Sequence, residues 1–214
     1  MPDWSHEEAL WREGCGSVAG VDEAGRGPLA GPVSAAAVVL PQGYVLAGLD
    51  DSKALTARRR EALYEALTQD PAVRWASAMV PAGEIDRLNI LRATWKAMRL
   101  ALAKLDPAPD AALVDGLPVE GLPVLHRALV KGDSLSFSIA AASVVAKVER
   151  DRYMRECARR YPAYGFERHK GYGTAEHRAA LVLNGPCPLH RRSFAPVAQA
   201  ESGFGGAPAG EAGT

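Results

Sequence analysis

The chain lacks most of what ties small secreted or membrane proteins together. It has only three cysteines in 214 residues, and Cys15, Cys157 and Cys187 are odd in number and far apart. That excludes a disulfide framework, a CxxC zinc site and a thioredoxin-like motif. No stretch approaches the ~18 consecutive apolar residues of a membrane span. The opening MPDWSHEEALWREG is acidic and amphipathic where a secretory signal would be basic and then apolar. The expectation is a cytoplasmic protein without a membrane segment. Net charge is also absent, since 25 Lys and Arg balance 25 Asp and Glu. What is present in quantity is apolar side chain, 48% of the residues. At this length folding buries roughly 70% of the chain's surface, enough to dispense with disulfides or a structural metal.

The neutral total hides an uneven distribution. Residues 1–125 hold 12 basic and 17 acidic side chains, residues 126–192 hold 13 and 6, and residues 193–214 hold 0 and 2. A basic segment of this kind suits a polyanion, and equally a set of solvated helix faces.

Hydrophobic periodicity organises the rest. SVAGV and VSAAAVVL read as two strands joined by the turn-rich GRGPLAGP. Thr56 can cap a helix over ARRREALYEALTQ, in which Leu63 and Leu67 share a face. VRWASAMV reads as a strand, PAGEIDRL as a short helix and ILRATWKAMRLALAKL as a long one. ALVDG and PVLHRALV read as further strands. From Asp133 the chain turns helical, with a first half so rich in Ala and Ser that it must lie flat against a sheet. The remainder is loop-rich and basic, with a helix opening at Thr174, and residues 199–214 have too little apolar surface to order themselves. The expected division is a helical segment over 1–16, a core over 17–162, a basic extension over 163–198 and a disordered tail over 199–214.

Asp22 and Glu23 follow VAGV, and Asp115 follows ALV, so each acid stands where a buried strand runs out. Ligands in open α/β sheets gather beyond the carboxyl ends of strands. If the two strands are neighbours, Asp22 and Asp115 lie side by side, and two carboxylates so close repel unless a cation or proton intervenes. Oxygen-only donors select Mg²⁺ or Mn²⁺ over zinc. Successive strand residues face opposite ways, so either the chain bends at Glu23 or Glu23 contributes through its backbone or a water. Simple turn formation remains open for Asp22 and Asp115, and an N-cap role for Asp133. Lys147, Asp151 and Arg155, spaced i, i+4, i+8, read as a structural ion-pair ladder.

Beyond the acidic pair, Gly25, Arg26 and Gly27 form a loop whose glycines admit close backbone approach and whose arginine offers a fork of donors to phosphate. The segment VDEAGRGPLAGPV resembles the N-terminal signature of type 2 ribonuclease H, the bacterial ribonuclease HII family. Four further segments agree in order: LDDSKALT with Asp51, Ser52 and Lys53, ALVDG, KGDSLSFSIAAASVVAKVERDRYM, and YGFERHKGYGT. The resemblance spans roughly residues 17–197. It implies an α/β, ribonuclease H-like fold, a mixed five-stranded sheet flanked by helices with a small C-terminal helical extension. It implies that Asp22, Glu23, Asp115 and Asp133 are the metal-binding, catalytic acids, which makes Asp133 a ligand as well as a possible cap. It places ribonucleotide reading on Gly25, Arg26 and Gly27, packing against the adjoining deoxyribose on Tyr172, and phosphate contacts on Lys53, Lys170 and Ser143.

The implied reaction is hydrolysis of the phosphodiester 5′ to a ribonucleotide, in an RNA:DNA hybrid or embedded in duplex DNA, leaving 3′-hydroxyl and 5′-phosphate ends. Two divalent ions, Mg²⁺ or Mn²⁺, would act about 4 Å apart with Asp22 bridging them. The 2′-hydroxyl distinguishes RNA from DNA, and Arg168, Lys170, Arg191 and Arg192 would grip the duplex backbone. The implied partner is therefore nucleic acid, the implied state a monomer, and a replication partner docking on the tail near Phe204 is a further expectation. The rival enzyme is a metal-independent ribonuclease using His169 and His190 as acid and base with Lys170. A rival of another kind is a non-catalytic nucleic-acid-binding module.

Overall fold

The computed structural model describes residues 2–49 and 55–204. Asp51, Ser52 and Lys53 therefore lie outside the described residues, as do 205–214. Five strands form one sheet: β1 (Val18–Ala24), β2 (Val33–Val39), β3 (Arg74–Val80), β4 (Ala111–Asp115) and β5 (Leu125–Leu129). Their order is β3-β2-β1-β4-β5. β1–β2 and β2–β3 pair antiparallel, β1–β4 and β4–β5 parallel, so the sheet is mixed, as the resemblance implies.

Alternation along the strands divides the core. Ala19, Val21, Ala35, Ala37, Ala112 and Val114 face one way. They pack under α3 (Ala82–Leu88) and α4 (Ile90–Ala103), whose small Ala93, Ala97 and Ala101 let the helix sit close. Ala24, Ala36 and Val38 face the other way, against α2 (Ala57–Gln69) and α5 (Phe137–Arg160). The Ala/Ser-rich half of α5 does lie against the sheet: Ala140, Ala141, Ala142 and Ala146 are fully buried. Gly20 allows the approach, since a Cβ there would collide with the backbone of Ser138 and Ile139.

The caps follow local chemistry. Thr56 accepts from the Arg59 amide and Thr174 from that of His177, each satisfying a donor the helix start leaves orphaned. At α5 the N-cap role left open for Asp133 is not the one it takes. Ser136 is extended, which interrupts the chain before the helix, and its side chain is the cap, accepting from Ile139. Asp133 sits earlier, in the 3₁₀ turn Gly132–Ser134. The short N-terminal helix α1 (Ser5–Arg12) packs Leu10 into the core and Trp4 on Phe137. It also sends the fully buried Glu7 to the start of α5, where it accepts from Ser136 and Ser138.

After α5 come α6 (Phe166–His169), α7 (Ala175–Asn184) and α8 (Ala195–Phe204). This extension is anchored by Tyr164, Phe166 and Cys187 against Ala30 and Met154. α8 takes in residues 199–204, which composition alone assigns to the tail. Among the described residues, no helix is long and apolar enough to cross a membrane.

Candidate active site

Asp22 lies on β1 and Asp115 ends the parallel neighbour β4, one register step beyond the Val21–Val114 pair. Both share parity with the residues facing α5. Asp133 comes in from the 3₁₀ turn on that side, and one carboxylate oxygen from each of the three lies within 4.8 Å of the others. Asp22 and Asp133 are buried, at 2% and 4% exposure. The Asp115 carboxylate is oriented by the Gly132 amide at 2.6 Å. Asp22 accepts the Glu23 amide at 2.6 Å. Burial, then Glu23 and Asp115, push the Asp22 carboxyl well above its usual range, while the Ser143 hydroxyl and the Glu23 amide pull it back. Three oxygen-only donors within 4.8 Å of one another, two of them buried, are the donor set of a hard divalent cation.

Glu23 does not join that triad. The strand stays regular through it, paired with Ala35, so its side chain takes the α4 face, where it lines a second cleft with Trp95 and Asp115. It ion-pairs with Arg26 at 3.4 Å. Of the options open in the sequence, a bend at Glu23 does not occur, and its amide donates to the Asp22 carboxylate.

A cleft of about 230 Å³ is lined by Asp22, Glu23, the Gly25–Arg26–Gly27 loop, Asp115, Lys147 and Tyr172. The two glycines differ in their reason. Gly25 has φ +94° and a Cβ there would strike the Arg150 guanidinium, whereas a Cβ on the exposed Gly27 would meet nothing within 4 Å. A larger hollow between α7 and α8, about 380 Å³, is lined by Arg178, Leu181, Val182, Pro196, Gln199 and Ala200 and contains no acidic ligand.

Tyr172 is 43% exposed at the cleft, and its position is set from behind. The His190 Nδ1 accepts from the Cys187 amide at 3.0 Å, so its Nε2–H donates to His177 Nε2 at 3.1 Å. His177 Nδ1–H then donates to the Tyr172 carbonyl at 2.9 Å. This chain of bonds requires both imidazoles neutral. Burial, together with the other histidine, pushes His190 down to about 4, and burial also lowers His177. His169 and His190 are 8% and 2% exposed, and both ring nitrogens of each are engaged. The acid–base role considered for them is thereby overturned: they are structural groups behind the cleft.

Other assignments change too. Arg191 is fully buried, Arg168 pairs with Glu167 and Glu176, and Arg192 with Glu201. Burial takes Arg191 away from any duplex, while Arg168 and Arg192 stay more than half exposed within their surface ion pairs. Lys170 turns its Nζ to the Glu167 carbonyl, with its basicity lowered by burial. Lys147, which the sequence places only in a ladder, does pair with Asp151 at 2.7 Å, but it also lines the cleft, 5.7 Å from the Tyr172 ring. Arg155 leaves the ladder for Glu61, at 3.8 Å. The signal for Lys147 is its place one turn after Ser143 on the same helix face.

Residues 19–197 match the family model for Ribonuclease HII. The ribonuclease HII of Rhodospirillum rubrum is 56% identical over 204 residues, covering 94% of this chain and 92% of the relative. That of Chlamydia caviae is 52% identical over 193 residues, 90% and 91% of the two chains. The crystal structure of ribonuclease H2 from Pyrococcus horikoshii superposes with a TM-score of 0.77 at 27% identity, over 89% of this chain and 100% of that one. With its acids converging beside a glycine loop on this sheet, the chain belongs to the ribonuclease HII family, hydrolytic endoribonucleases that act on RNA:DNA hybrids.

Proposed function

We propose that the protein hydrolyses the phosphodiester 5′ to a ribonucleotide, both in RNA:DNA hybrids and at single ribonucleotides within duplex DNA, leaving 3′-hydroxyl and 5′-phosphate ends. The observation that carries this reading is the convergence of Asp22, Asp115 and Asp133 in the same region as Gly25–Gly27 and Tyr172. Divalent cations, Mg²⁺ or Mn²⁺ and two in the active complex, would be held by Asp22, Asp115 and Asp133 with Glu23 at the edge; they would activate the attacking water and offset charge on the departing 3′ oxygen.

The chain's own residues supply the rest. Gly27 leaves the loop's exposed face open to a sugar, and backbone donors and acceptors there can pair with a 2′-hydroxyl. Tyr172 presents a ring to the sugar on the 3′ side, which gives junction preference and hence excision of misincorporated ribonucleotides and RNA primers. Ser143 serves the site by holding Asp22. Lys147 and Arg26 are the cleft's cations toward the phosphate backbone, with Lys53 and Lys170 assigned to flanking phosphates. The core over 17–162, the extension over 163–198, a monomeric state and a cytoplasmic location complete the reading.

The test is a labelled DNA duplex carrying one ribonucleotide, incubated with Mg²⁺ or Mn²⁺ and then with EDTA. One metal-dependent nick 5′ to the ribonucleotide, with a 3′-hydroxyl and lost in Asp115→Asn, is expected. Metal-independent cutting on the 3′ side, or binding without any cut, overturns it.

A further inference from the structure

Two arginines that the mechanism above does not use stand directly behind the glycine loop. Arg191 and Arg150 are both fully buried, and among the described residues neither pairs with a carboxylate. Such charges are costly to bury unless fully hydrogen-bonded. Burial and the neighbouring Arg150 push Arg191 down to about 9. Their compensation comes from backbone carbonyls. Arg191 donates to Gly25 at 2.5 Å, Arg26 at 2.8 Å and Gly31 at 3.0 Å. Arg150 donates to Pro32 at 2.9 Å, Lys170 at 3.0 Å and Ala30 at 3.1 Å. Five of these six carbonyls belong to residues 25–32, and the sixth lies two residues before Tyr172.

The geometry has a direct chemical result. In a planar trans peptide the C=O and the following N–H point in opposite directions. Drawing the Gly25 and Arg26 carbonyls inward to Arg191 therefore turns the Arg26 and Gly27 amides away from it, toward the exposed side of the loop. Neither amide has a hydrogen-bond partner among the described residues. We infer that Arg191 is a positioning residue for specificity: it sets the polarity of the Gly25–Gly27 loop so that the Arg26 and Gly27 amides face the ribose as donors, while Arg150 fixes the spacing from that loop to the Tyr172 segment. The inference rests on the proposed reading of the loop. It explains why an arginine is needed. A planar fork reaches three carbonyls of one loop at once, whereas an ammonium is a point charge on a flexible stem.

The experiment compares Arg191→Lys and Arg191→Met with the wild type. For each, thermal unfolding and Mn²⁺ binding by calorimetry report the fold and the carboxylates independently of turnover. Arg191→Lys is expected to unfold cooperatively and to bind Mn²⁺ within about twofold of wild type. Its KM for a duplex with one ribonucleotide should rise about tenfold or more with a smaller change in kcat, and its preference over all-DNA duplex should fall. Arg191→Met should show a larger loss of the same kind. A folded Arg191→Lys with KM and preference within about twofold of wild type overturns the inference. Should both variants fail to fold, amide NMR of metal-free wild type decides. The Arg26 and Gly27 resonances should shift with the ribonucleotide duplex and much less with all-DNA duplex, and equal responses overturn it. A wild type that does not cut the ribonucleotide duplex at all overturns the underlying reading instead.

Discussion

The two sides of the cleft are built on different principles. On one side Asp22 and Asp115 are delivered by parallel strands, and their spacing is the spacing of the sheet. On the other side the Gly25–Gly27 loop and Tyr172 hang on hydrogen bonds from the C-terminal extension, from Arg191 to a loop 165 positions earlier and from His190 through His177 to Tyr172. The first side stores repulsion, with like charges held together and Asp22 pushed up. The second stores buried neutral histidines and arginines compensated by carbonyls alone. The chemistry thus sits on the rigid element and the reading of the substrate on a loop that must be held from behind, an arrangement in which supporting contacts decide precision.

The largest effect that would sharpen this contrast comes from the acid side. Asp22→Asn and Asp115→Asn should each lower kcat by about 10³-fold or more, yet raise the Tm of the metal-free protein, because each removes a source of repulsion. A Tm that falls would show that the carboxylates are not strained against one another. On the loop, Gly25→Ala should cost about 1–3 kcal/mol of stability, given its φ of +94° and the Arg150 guanidinium behind it. Gly27→Ala should leave stability within about 0.5 kcal/mol while raising KM. Denaturant unfolding beside steady-state kinetics separates the two, and equal behaviour of the two glycines would break the distinction.

The pH responses should oppose each other. The raised Asp22 pKa gives the metal-free protein stability that is full below 3.8 and lost as pH rises toward the folded value. The lowered values of His177 and His190 give stability that is full above 6.5 and lost as pH falls toward about 4. Asp22→Asn should therefore flatten the loss on the rising side, and His190→Phe the loss on the falling side. Tm measured from about pH 3 to about pH 8 checks both. The smallest expected effect is a cap: Thr174→Ala should cost about 1 kcal/mol, seen as a small drop in Tm with kcat unchanged.

Much of the fold is legible in local sequence. The alternation in VSAAAVV, the Thr56 cap and the Ala-rich face of α5 are patterns among near neighbours, and each element forms where its period and caps require. The strand acids are legible for the same reason, since each follows an apolar strand run: Asp115 closes β4, while β1 continues through Asp22 and Glu23 to Ala24. Glu23 follows from strand geometry, which puts it on the face opposite Asp22. The cap role left open for Asp133 falls to Ser136, three residues later, because Ser136 is itself extended and within reach of the Ile139 amide. Arg191, His169 and His190 depart from their expected roles because burial is not a property of a residue type. In a loop-rich basic segment, nothing local separates an arginine that faces a duplex from one that faces buried backbone carbonyls.

The sequence by itself determined the five strands, most of the helices, the family, and which carboxylates follow apolar strand runs, because these depend on periodicity, capping and motifs carried by neighbouring residues; α8 escaped it. Only the tertiary structure decided that Lys147 lines the cleft, that the histidines support rather than catalyse, and that Arg191 and Arg150 hold the loop. Those roles are set by contacts between residues more than a hundred positions apart or by burial that only packing creates, and a charged side chain's task follows from what surrounds it.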